Sequence, residues 1–448
     1  MHLGVLDTRA TPDDLEVHAP VRRSLVAVAS AVVLIVIANR WGFRLLDDGV
    51  RIRILAPPLV GRFQLGPDRG WDAFALAPFA TAALLVSCAP RLASTLPWRR
   101  LLLAAGVGAA LWAVGLALAS GWYWLQRPME LPGHYLHDVG AVGNPFTFLR
   151  SFTDDLGGYA THVRAHPPGF LLTLWGLDRL GFAGSGWATL LVVAGGASAA
   201  PAVLVAVREL AGEAQARRAA PFVVISPLAL YVATTPDAFY MGVGAWAVTC
   251  IVLATGREGS AGTRLAVAGG ALFGATLLLS YGLVLLAAIP LAVAWWRGTW
   301  RPLWVAAMSG AAVLGLFALL GFWWVEGLFA TRLEYLDSVA SVRPYWYFLV
   351  ANVAALAVVI GPATVAGLAH TQVRPLAVLF GGAIAAIALA DLSGMSKGEV
   401  ERIWLPFAIW LLPAAAVLVA RETRHLTTWL SAQASVAIGV QLLVRTHW

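Results

Sequence analysis

Residues 345–368 read YWYFLVANVAALAVVIGPATVAGL, a run of twenty-four positions without a charged side chain. As an α-helix this run would be about 36 Å long, enough to cross the roughly 30 Å hydrocarbon core of a bilayer. It belongs to a chain of 448 residues of which 59% are hydrophobic and only 12% are charged. Soluble proteins carry about 25% charged residues, so the sequence predicts a membrane protein and excludes a soluble fold.

Thirteen segments are apolar and long enough to span, which predicts an all-α, polytopic transmembrane bundle of about thirteen spans. They are 24–40, 71–89, 101–124, 186–207, 218–234, 238–255, 263–280, 281–296, 302–325, 345–368, 375–391, 401–420 and 426–444. A shorter apolar segment at 168–182 is interrupted by Asp178 and Arg179. These charges are expected where the segment meets the membrane interface.

The chain shows no internal repeat, no low-complexity stretch and no soluble domain. It divides into a cytoplasmic N-terminal tail (1–23), two N-terminal spans (24–100), a membrane domain with a long external loop (101–420), and a final span with the C-terminus (421–448). The tail is polar and acidic before Arg22 and Arg23, so a cleaved signal peptide is not expected.

The net charge of +7 would suggest nucleic-acid binding in a soluble protein. Here the arginines separate apolar segments in the positive-inside pattern, so no nucleic-acid partner is expected. Cys88 and Cys250 both lie in apolar stretches. Two such residues form neither a disulfide framework nor a zinc site.

The distribution of arginine between loops sets the predicted orientation. If Arg22 and Arg23 are cytoplasmic and 168–182 does not cross, the basic loops fall on the cytoplasmic side, except loop 41–70, which would be external although it and Arg40 together carry six arginines. If 168–182 crosses, every later basic loop moves outside. The further segments that fall on the external side when 168–182 does not cross are 125–167, 234–238, 326–344 and 391–401. They hold most of the acidic and histidine residues outside the tails, so the chemistry is expected on that face.

The segment 125–167 is too long for an ordinary connection and too rich in apolar residues to be disordered. It contains four of the nine histidines: His134, His137, His162 and His166. Residues 145–160 are predicted to form an amphipathic helix in the membrane interface. Two interpretations stay open: a cap with solvated charges, and a site for a polar ligand, which we favour.

His162 and His166 are four residues apart, a spacing that can place two rings on one helical face and bind a metal. Pro167 follows at once, and a residue before proline avoids the helical conformation, so His166 is expected past the helix end. Hydrogen bonding by these histidines is favoured over metal binding. No soluble cofactor is expected, and dependence on a divalent metal stays open.

Asp237 and Tyr240 come just after a predicted span. Asp237 could contact a substrate, and it could equally begin a helix in which Pro236 occupies an early position. Both roles can coexist.

The segment 391–404 combines acidic and basic residues beside Trp404. Lys397, the one lysine of the chain, and Arg402 suit a phosphate group. The alternative is that they are ordinary charges at a helix start that reach the membrane surface.

Three short motifs resemble the GT-C superfamily of polyprenyl-phosphate-dependent membrane glycosyltransferases. They are His166-Pro167-Pro168-Gly169 at the end of the long loop, TTPDAF at 234–239 after a later span, and Glu401-Arg402-Ile403-Trp404-Leu405-Pro406 at the start of a late helix. In order and spacing the resemblance covers about 101–420, and it looks closest to actinobacterial members. It implies a GT-C-like catalytic domain in the plasma membrane, active on the extracytoplasmic side.

The reaction that this resemblance implies is transfer of a sugar from a polyprenyl-phosphate donor to a hydroxyl of a cell-envelope glycan or glycolipid. The enzyme would be inverting and similar to a mannosyl- or arabinosyltransferase. Such a transfer needs a carboxylate base and cations near the departing phosphate. The expected base is Asp138, with Asp155 and then Asp154 in reserve. The expected phosphate-binding residues are Arg402, Lys397, Arg164 and His166, and the expected substrate-binding residues are His162, Tyr135, Asp237, Tyr240, Glu399 and Glu401.

The alternative function is a transporter or flippase for a lipid-linked substrate. Such proteins place charged residues within their spans, often near broken helices in two related halves. The clear spans here carry few such charges and the two halves show no symmetry, so the enzyme is favoured.

Overall fold

The computed structural model describes residues 21–52, 56–59, 61–63, 73–233, 235–419 and 423–446, which include only the last three positions of the predicted tail. The α-helices are α1 (Val21–Asp47), α2 (Ala77–Thr95), α3 (Trp98–Ala117), α4 (Trp122–Gln126), α5 (Pro145–Ser151), α6 (Thr161–Arg164), α7 (Gly169–Arg179), α8 (Ser185–Ala211), α9 (Glu213–Val224), α10 (Asp237–Thr255), α11 (Gly259–Leu277), α12 (Ala288–Arg297), α13 (Arg301–Leu319), α14 (Trp324–Asp337), α15 (Tyr345–Leu368), α16 (Arg374–Leu392), α17 (Val400–Ile403), α18 (Leu405–Ala408) and α19 (Thr423–Leu443). Turns of 3₁₀-helix lie at Phe74–Leu76, Leu118–Ser120, Arg127–Glu130, Tyr135–His137, Val139–Val142, Leu156–Gly158, Pro227–Tyr231, Tyr281–Ala287 and Leu412–Leu418. The two short strands β1 (Gly61–Phe63) and β2 (Val444–Thr446) pair antiparallel, a local tie within an otherwise helical protein.

Nine helices of the described residues are long and apolar enough to cross a membrane: α1, α2, α3, α8, α10, α13, α15, α16 and α19. Each coincides with one of the thirteen predicted spans. The expected helical membrane architecture is thus present, whereas the count of thirteen is not confirmed.

The remaining four predicted spans do not form long, strongly apolar helices. The segment 218–234 is interrupted by a 3₁₀ turn that begins at Pro227, and 281–296 begins as 3₁₀-helix before it becomes α12. The segment 401–420 breaks into α17, α18 and a further 3₁₀ turn, because proline removes a backbone donor and crowds the preceding turn. α11 has the length of a span, but it contains five glycines and a charged residue, which lower its hydropathy.

The predicted amphipathic helix over 145–160 is wrong. α5 ends at Ser151, and the chain then turns before a 3₁₀ segment at Leu156–Gly158. Two consecutive glycines at 157–158 disfavour a continuous helix, because glycine loses more backbone entropy in a helix than other residues do. The doubtful segment 168–182 forms α7, whose 11 residues are too short to cross the hydrocarbon core.

The interior of the bundle is organised around α8 and α10, which lie against each other along much of their length. Gly242 on α10 faces Gly195 on α8 so closely that a Cβ atom there would overlap the Gly195 carbonyl oxygen. Small residues permit this separation, as is usual where membrane helices meet.

α15 is broken at Gly361, whose φ of 75° and ψ of 171° are not helical, and Pro362 follows. Gln433 on α19 fills the break: its Nε2 donates to the Ile360 oxygen at 3.0 Å and its Oε1 accepts from the Ala363 nitrogen at 3.2 Å. Gln433 is completely buried. A side chain from another helix therefore satisfies backbone groups that hydrocarbon cannot.

Most ion pairs of the described residues lie in two groups. One group joins Glu209 and Glu213 to the arginines of loops predicted to be cytoplasmic, which are Arg208, Arg217, Arg257 and Arg297. The other joins segments predicted to be external, through the pairs Arg164–Glu334, Arg402–Asp237, Arg402–Glu399 and Arg343–Glu399.

These two groups lie at opposite ends of α10. Asp237 begins this helix, and Thr255, which accepts a hydrogen bond from Arg297, ends it. A helix of 19 residues is about 28 Å long, close to the hydrocarbon thickness. The four segments predicted to share a face thus contact one another at one end of the bundle.

Candidate active site

Arg402 is the centre of the charged group at this end. Its Nη1 donates to Asp237 Oδ2 at 2.8 Å, and its Nη2 donates to Glu399 Oε2 at 2.6 Å. Arg402 is only 5% exposed, and Asp237 is 4% exposed. Burial opposes the charge of Arg402, but Asp237 and Glu399 attract it more strongly, so its pKa is raised and it stays protonated.

A second arginine, Arg343, lies beside Glu399. Its Nη1 is 3.8 Å from Glu399 Oε1 and donates to the Lys397 carbonyl oxygen at 2.6 Å. The guanidinium also lies over the ring of Phe348, 5.7 Å from its centroid. Lys397 in turn donates from Nζ to the Ser341 carbonyl oxygen, and burial together with Arg343 lowers the pKa of its ammonium group.

The loop that carries Lys397 and Glu399 is braced by one side chain of α15. Asn352 donates from Nδ2 to Asp391 Oδ1 at 2.8 Å and to the Ser396 carbonyl oxygen at 2.6 Å, and its Oδ1 accepts from the Gly398 nitrogen at 3.3 Å. This amide therefore fixes the loop against two membrane helices.

We refer to five residues as the cationic cluster: Arg402, Arg343, Lys397, Asp237 and Glu399. Three cations and two carboxylates give it a formal net charge of +1. Its members come from three segments far apart in sequence. A largely buried group of this kind can hold an anionic oxygen group with little competition from water.

The histidine group, made of His134, His162 and His166, adjoins the cationic cluster. The rings of His134 and His162 are 4.2 Å apart between centroids. His166 Nδ1 lies 2.8 Å from the His162 carbonyl oxygen; since a carbonyl only accepts, Nδ1 carries the proton and Nε2 is left as an acceptor. His166 lies just past α6, as predicted from Pro167.

All three histidines are held neutral. Burial and the charge of Arg402 lower the pKa of His134 from 6.5 to about 4. The same two causes lower the pKa of His162 well below its usual range. Burial also lowers the pKa of His166, against the opposing attraction of Asp237. These rings can exchange hydrogen bonds with a polar ligand at neutral pH without adding charge.

Two buried tyrosines complete the wall behind the histidines. Tyr240 donates to the hydroxyl oxygen of Tyr135 at 2.9 Å, and both side chains are 1% exposed. Their rings lie 5.8 and 6.1 Å from the ring of His166. Burial raises the pKa of Tyr135, so it remains a hydroxyl.

Arg164 is not in the cationic cluster. It pairs with Glu334 of α14 at 3.1 Å, and its carbonyl oxygen accepts from Thr331 Oγ1 at 3.1 Å. Through these contacts Arg164 joins the long loop to α14. Glu401 is fully buried next to Arg402 in sequence.

The three predicted catalytic aspartates lie outside the cationic cluster. Asp138 accepts from the Ala160 nitrogen at 2.7 Å through Oδ2, one turn after Tyr135. Asp154 and Asp155 are exposed. Burial and the charges of Asp155 and Asp138 raise the pKa of Tyr159, which places these two carboxylates around the same ring.

The sequence places Arg343 in loop 326–344, a possible further wall of the site, but it assigns no individual role to Arg343 or to His134. An arginine just before an aromatic stretch has the pattern of an ordinary interfacial charge, so nothing in the sequence distinguishes Arg343. His134 was one of four loop histidines, and only its burial separates it from the exposed His137.

Within the part of the chain that the structure describes, no group of three or more histidine, cysteine, aspartate or glutamate residues is arranged to hold a metal ion. Comparison of the chain with protein-family models, curated proteins and solved structures found no match in any of the three. The resemblance to the GT-C superfamily therefore remains a prediction.

Proposed function

We propose that the protein is an inverting GT-C-like membrane glycosyltransferase. It would move a sugar from a polyprenyl-phosphate donor to a hydroxyl of a glycan or glycolipid on the extracytoplasmic face of the plasma membrane. The observation that carries this proposal is the buried cationic cluster, which adjoins the neutral histidine group at one end of the bundle. No soluble cofactor enters the proposal, because the donor carries its own leaving group.

The cationic cluster suits the departing phosphate of such a donor. Negative charge builds on this phosphate as the glycosidic bond breaks, and fixed cations stabilise it most where water is excluded. Arg402 supplies the buried charge, and Arg343 lies on the other side of Glu399, where it donates to the backbone of Lys397. Arg164 would help at the rim, beside Glu334.

The acceptor hydroxyl must lose a proton to a base. Asp138 is our first candidate: its Oδ1 makes no hydrogen bond with any described residue, and it follows Tyr135 by one turn. Asp155 and Asp154 are exposed alternatives. His162 would then bind the sugar hydroxyls, with Tyr135 and Tyr240 supporting the histidines from behind.

α14 supports a substrate that arrives from the lipid. Its polar contacts, through Thr331 and Glu334, face the long loop. On its other side the apolar residues Val325, Phe329, Leu333 and Leu336 are between 37% and 64% exposed, at the spacing of one helical face. A helix with these two sides suits the membrane interface beside the long loop, where a lipid-borne substrate would arrive.

The test is transfer of radiolabelled sugar from a panel of polyprenyl-phosphate sugars by the purified protein in nanodiscs. We expect Asp138→Asn to lower turnover by about 10²–10⁴-fold with donor binding retained. Arg402→Lys should lower turnover by at least about tenfold, because lysine cannot hold two carboxylates in the fork geometry of arginine. The control is Asp178→Asn, which removes an exposed carboxylate at the end of α7 and should leave turnover within about twofold.

Full activity of Asp138→Asn would move the base to Asp155 or Asp154. If no donor supports transfer while the protein flips or takes up a lipid-linked substrate in liposomes, the alternative of a transporter or flippase replaces the enzyme. The filled break in α15 weakens that alternative, because Gln433 already satisfies the backbone groups that could otherwise bind an ion.

A further inference from the structure

Glu399 has a backbone conformation that side-chain-bearing residues rarely adopt. Its φ is 64° and its ψ is 13°, and it is the single non-glycine residue with a positive φ in the described ranges. Gly398 before it has a φ of 88°. Such a conformation persists where the surroundings hold it, and it is common at ligand-binding sites.

The carboxylate of Glu399 bridges two arginines. Oε2 accepts from Arg402 Nη2 at 2.6 Å, while Oε1 lies 3.8 Å from Arg343 Nη1. The two arginines belong to segments about sixty residues apart in sequence. The carboxylate of Glu399 therefore lies between two guanidinium groups.

The two carboxylates that contact Arg402 differ in exposure. The side chain of Asp237 is 6% exposed, whereas that of Glu399 is 28% exposed. Asp237 can thus stay as the fixed counter-ion of Arg402 while Glu399 moves into water. Displacement of Glu399 is the less costly of the two, because its charge regains solvation.

The cationic cluster has hydrogen-bonding capacity that Glu399 does not use. Arg343 is 9% exposed, and its Nε has no hydrogen-bond partner among the described residues. A carboxylate offers two oxygens, whereas a terminal phosphate offers three. Without Glu399 the cluster keeps three cations and one carboxylate, that of Asp237, which contacts Arg402. The formal charge of +2 matches a phosphate monoester dianion.

We propose that Glu399 occupies, in the unliganded protein, the position that a lipid-borne phosphate takes when it binds, and that the two anions exchange. This inference rests on the phosphate site of the proposed function. The exchange weakens binding of the phosphate monoester that remains after sugar transfer, so the returning Glu399 helps to expel this product.

The experiment measures binding of dodecyl phosphate to the full-length protein in nanodiscs, for wild type and Glu399→Gln. Glutamine keeps the size of the side chain and removes its charge. We expect the Kd of the variant to be at least about tenfold lower, because the ligand no longer has to replace a charge-assisted hydrogen bond to Arg402. Glu399→Gly, which tolerates the positive φ, should bind dodecyl phosphate more tightly as well.

Two controls separate charge exchange from other effects. Glu130→Gln removes a carboxylate that pairs with Arg127 outside the cationic cluster, and it should leave the Kd unchanged. Dodecanol, which has the same chain without the phosphate, should bind equally to wild type and Glu399→Gln. Inorganic phosphate tests the source of the ligand. If Glu399→Gln binds both dodecyl phosphate and inorganic phosphate more tightly than wild type, the site recognises the phosphate group alone. If only dodecyl phosphate binds more tightly, the site also needs the lipid chain.

Equal or weaker binding of dodecyl phosphate by both Glu399 variants would overturn the exchange, as would no binding by any form of the protein. Tighter binding by the variants, combined with no sugar transfer by wild type from any donor, would keep the exchange and reject the glycosyltransferase. The two proposals therefore fail separately.

Discussion

Arg402 and Asp237 form an ion pair from which water is almost excluded, with side-chain exposures of 7% and 6%. A buried pair of this kind is not necessarily stabilising as a whole, but the loss of one partner leaves the other charge poorly compensated. Asp237→Asn leaves Glu399 as the remaining partner of Arg402, so we expect this variant to lower the free energy of unfolding by about 1–3 kcal/mol, measured by chemical denaturation in detergent.

The matched control is Glu130→Gln, in a pair with Arg127 whose side chains are 33% and 41% exposed. Exposed pairs contribute about 0–1 kcal/mol, so this variant should unfold almost like wild type. If both substitutions had the same small effect, the Arg402–Asp237 pair would not be sealed from water in the way its burial indicates.

The histidine group makes stability depend on pH. The folded protein binds protons at these sites less readily than the unfolded chain does, since the pKa of His134 falls from 6.5 to about 4 and those of His162 and His166 are also lowered. As pH falls through this window, protonation therefore favours the unfolded chain. We expect the thermal midpoint to be highest above about pH 6.5 and to decrease by several degrees towards about pH 5.

The histidine contribution is isolated by comparison with His134→Gln, whose midpoint should change less over the same pH range. Exposed His137 gives the matched control, and His137→Gln should keep the wild-type slope. A midpoint that rises on acidification would mean that the folded protein stabilises the protonated histidines, which would contradict the lowered pKa of these rings.

At the residue scale, short motifs are the part of the sequence that predicts site residues. The segments TTPDAFY and ERIWLP predict Asp237, Tyr240 and Arg402 as site residues, and these residues do lie near Tyr135 and the histidine group. The sequence could not show that Asp138 would be held by the Ala160 nitrogen, twenty-two positions away. That contact depends on the path of an irregular loop, which hydropathy and spacing do not determine.

Among the elements, the broken helix α15 is the one whose integrity depends on a single side chain. Replacement of Gln433 by leucine leaves the Ile360 oxygen and the Ala363 nitrogen without their partner in a buried setting. Each unsatisfied group costs about 1–3 kcal/mol, so Gln433→Leu should lower the free energy of unfolding by at least about 2 kcal/mol. Denaturation of the variant in detergent measures this loss.

Gln441 lies on the same helix and is half-buried, without a hydrogen bond to any described residue. Gln441→Leu should therefore change the free energy of unfolding by less than about 0.5 kcal/mol. Equal stability of the Gln433 and Gln441 variants would mean that water, or a shift of the backbone, satisfies the break in α15.

At the scale of elements, apolar length predicts the nine long helices of the described residues, and it fails for four apolar segments, of which 401–420 is divided by proline. The segment 401–420 has the composition of a span, yet Pro406 and Pro413 divide it into short pieces that pack inside the bundle. Hydropathy measures how apolar a segment is, and an apolar segment can be buried either in the protein interior or in lipid. It therefore cannot separate a buried, broken segment from a membrane-crossing helix.

The whole molecule has two charged ends separated by apolar helices, which gives the predicted topology a direct test. On a background without Cys88 and Cys250, single cysteines are introduced by Asp155→Cys and Glu258→Cys, both at exposed positions. A membrane-impermeant maleimide added outside intact cells should label only Asp155→Cys. Glu258→Cys should be labelled only after the membrane is permeabilised.

Labelling of Glu258→Cys alone from outside would show the opposite orientation, with the cationic cluster on the cytoplasmic side. Labelling of both positions from the same side would contradict the separation of the two ends along α10. Either result would remove the extracytoplasmic location from the proposed function while leaving the geometry of the site intact.

The hydrogen bonds that Gln433 makes in the break of α15 also limit when this helix can be completed during synthesis. Gln433 follows the backbone groups that it satisfies by 73 and 70 positions. At about 5–20 residues per second, the two halves of α15 wait roughly 4–14 s for the glutamine that joins them. During this interval we expect the backbone groups in the break of α15 to lack these hydrogen bonds. A product that ends before α19 would never form them. Such a chain offers cellular quality control a defect that a finished molecule no longer shows.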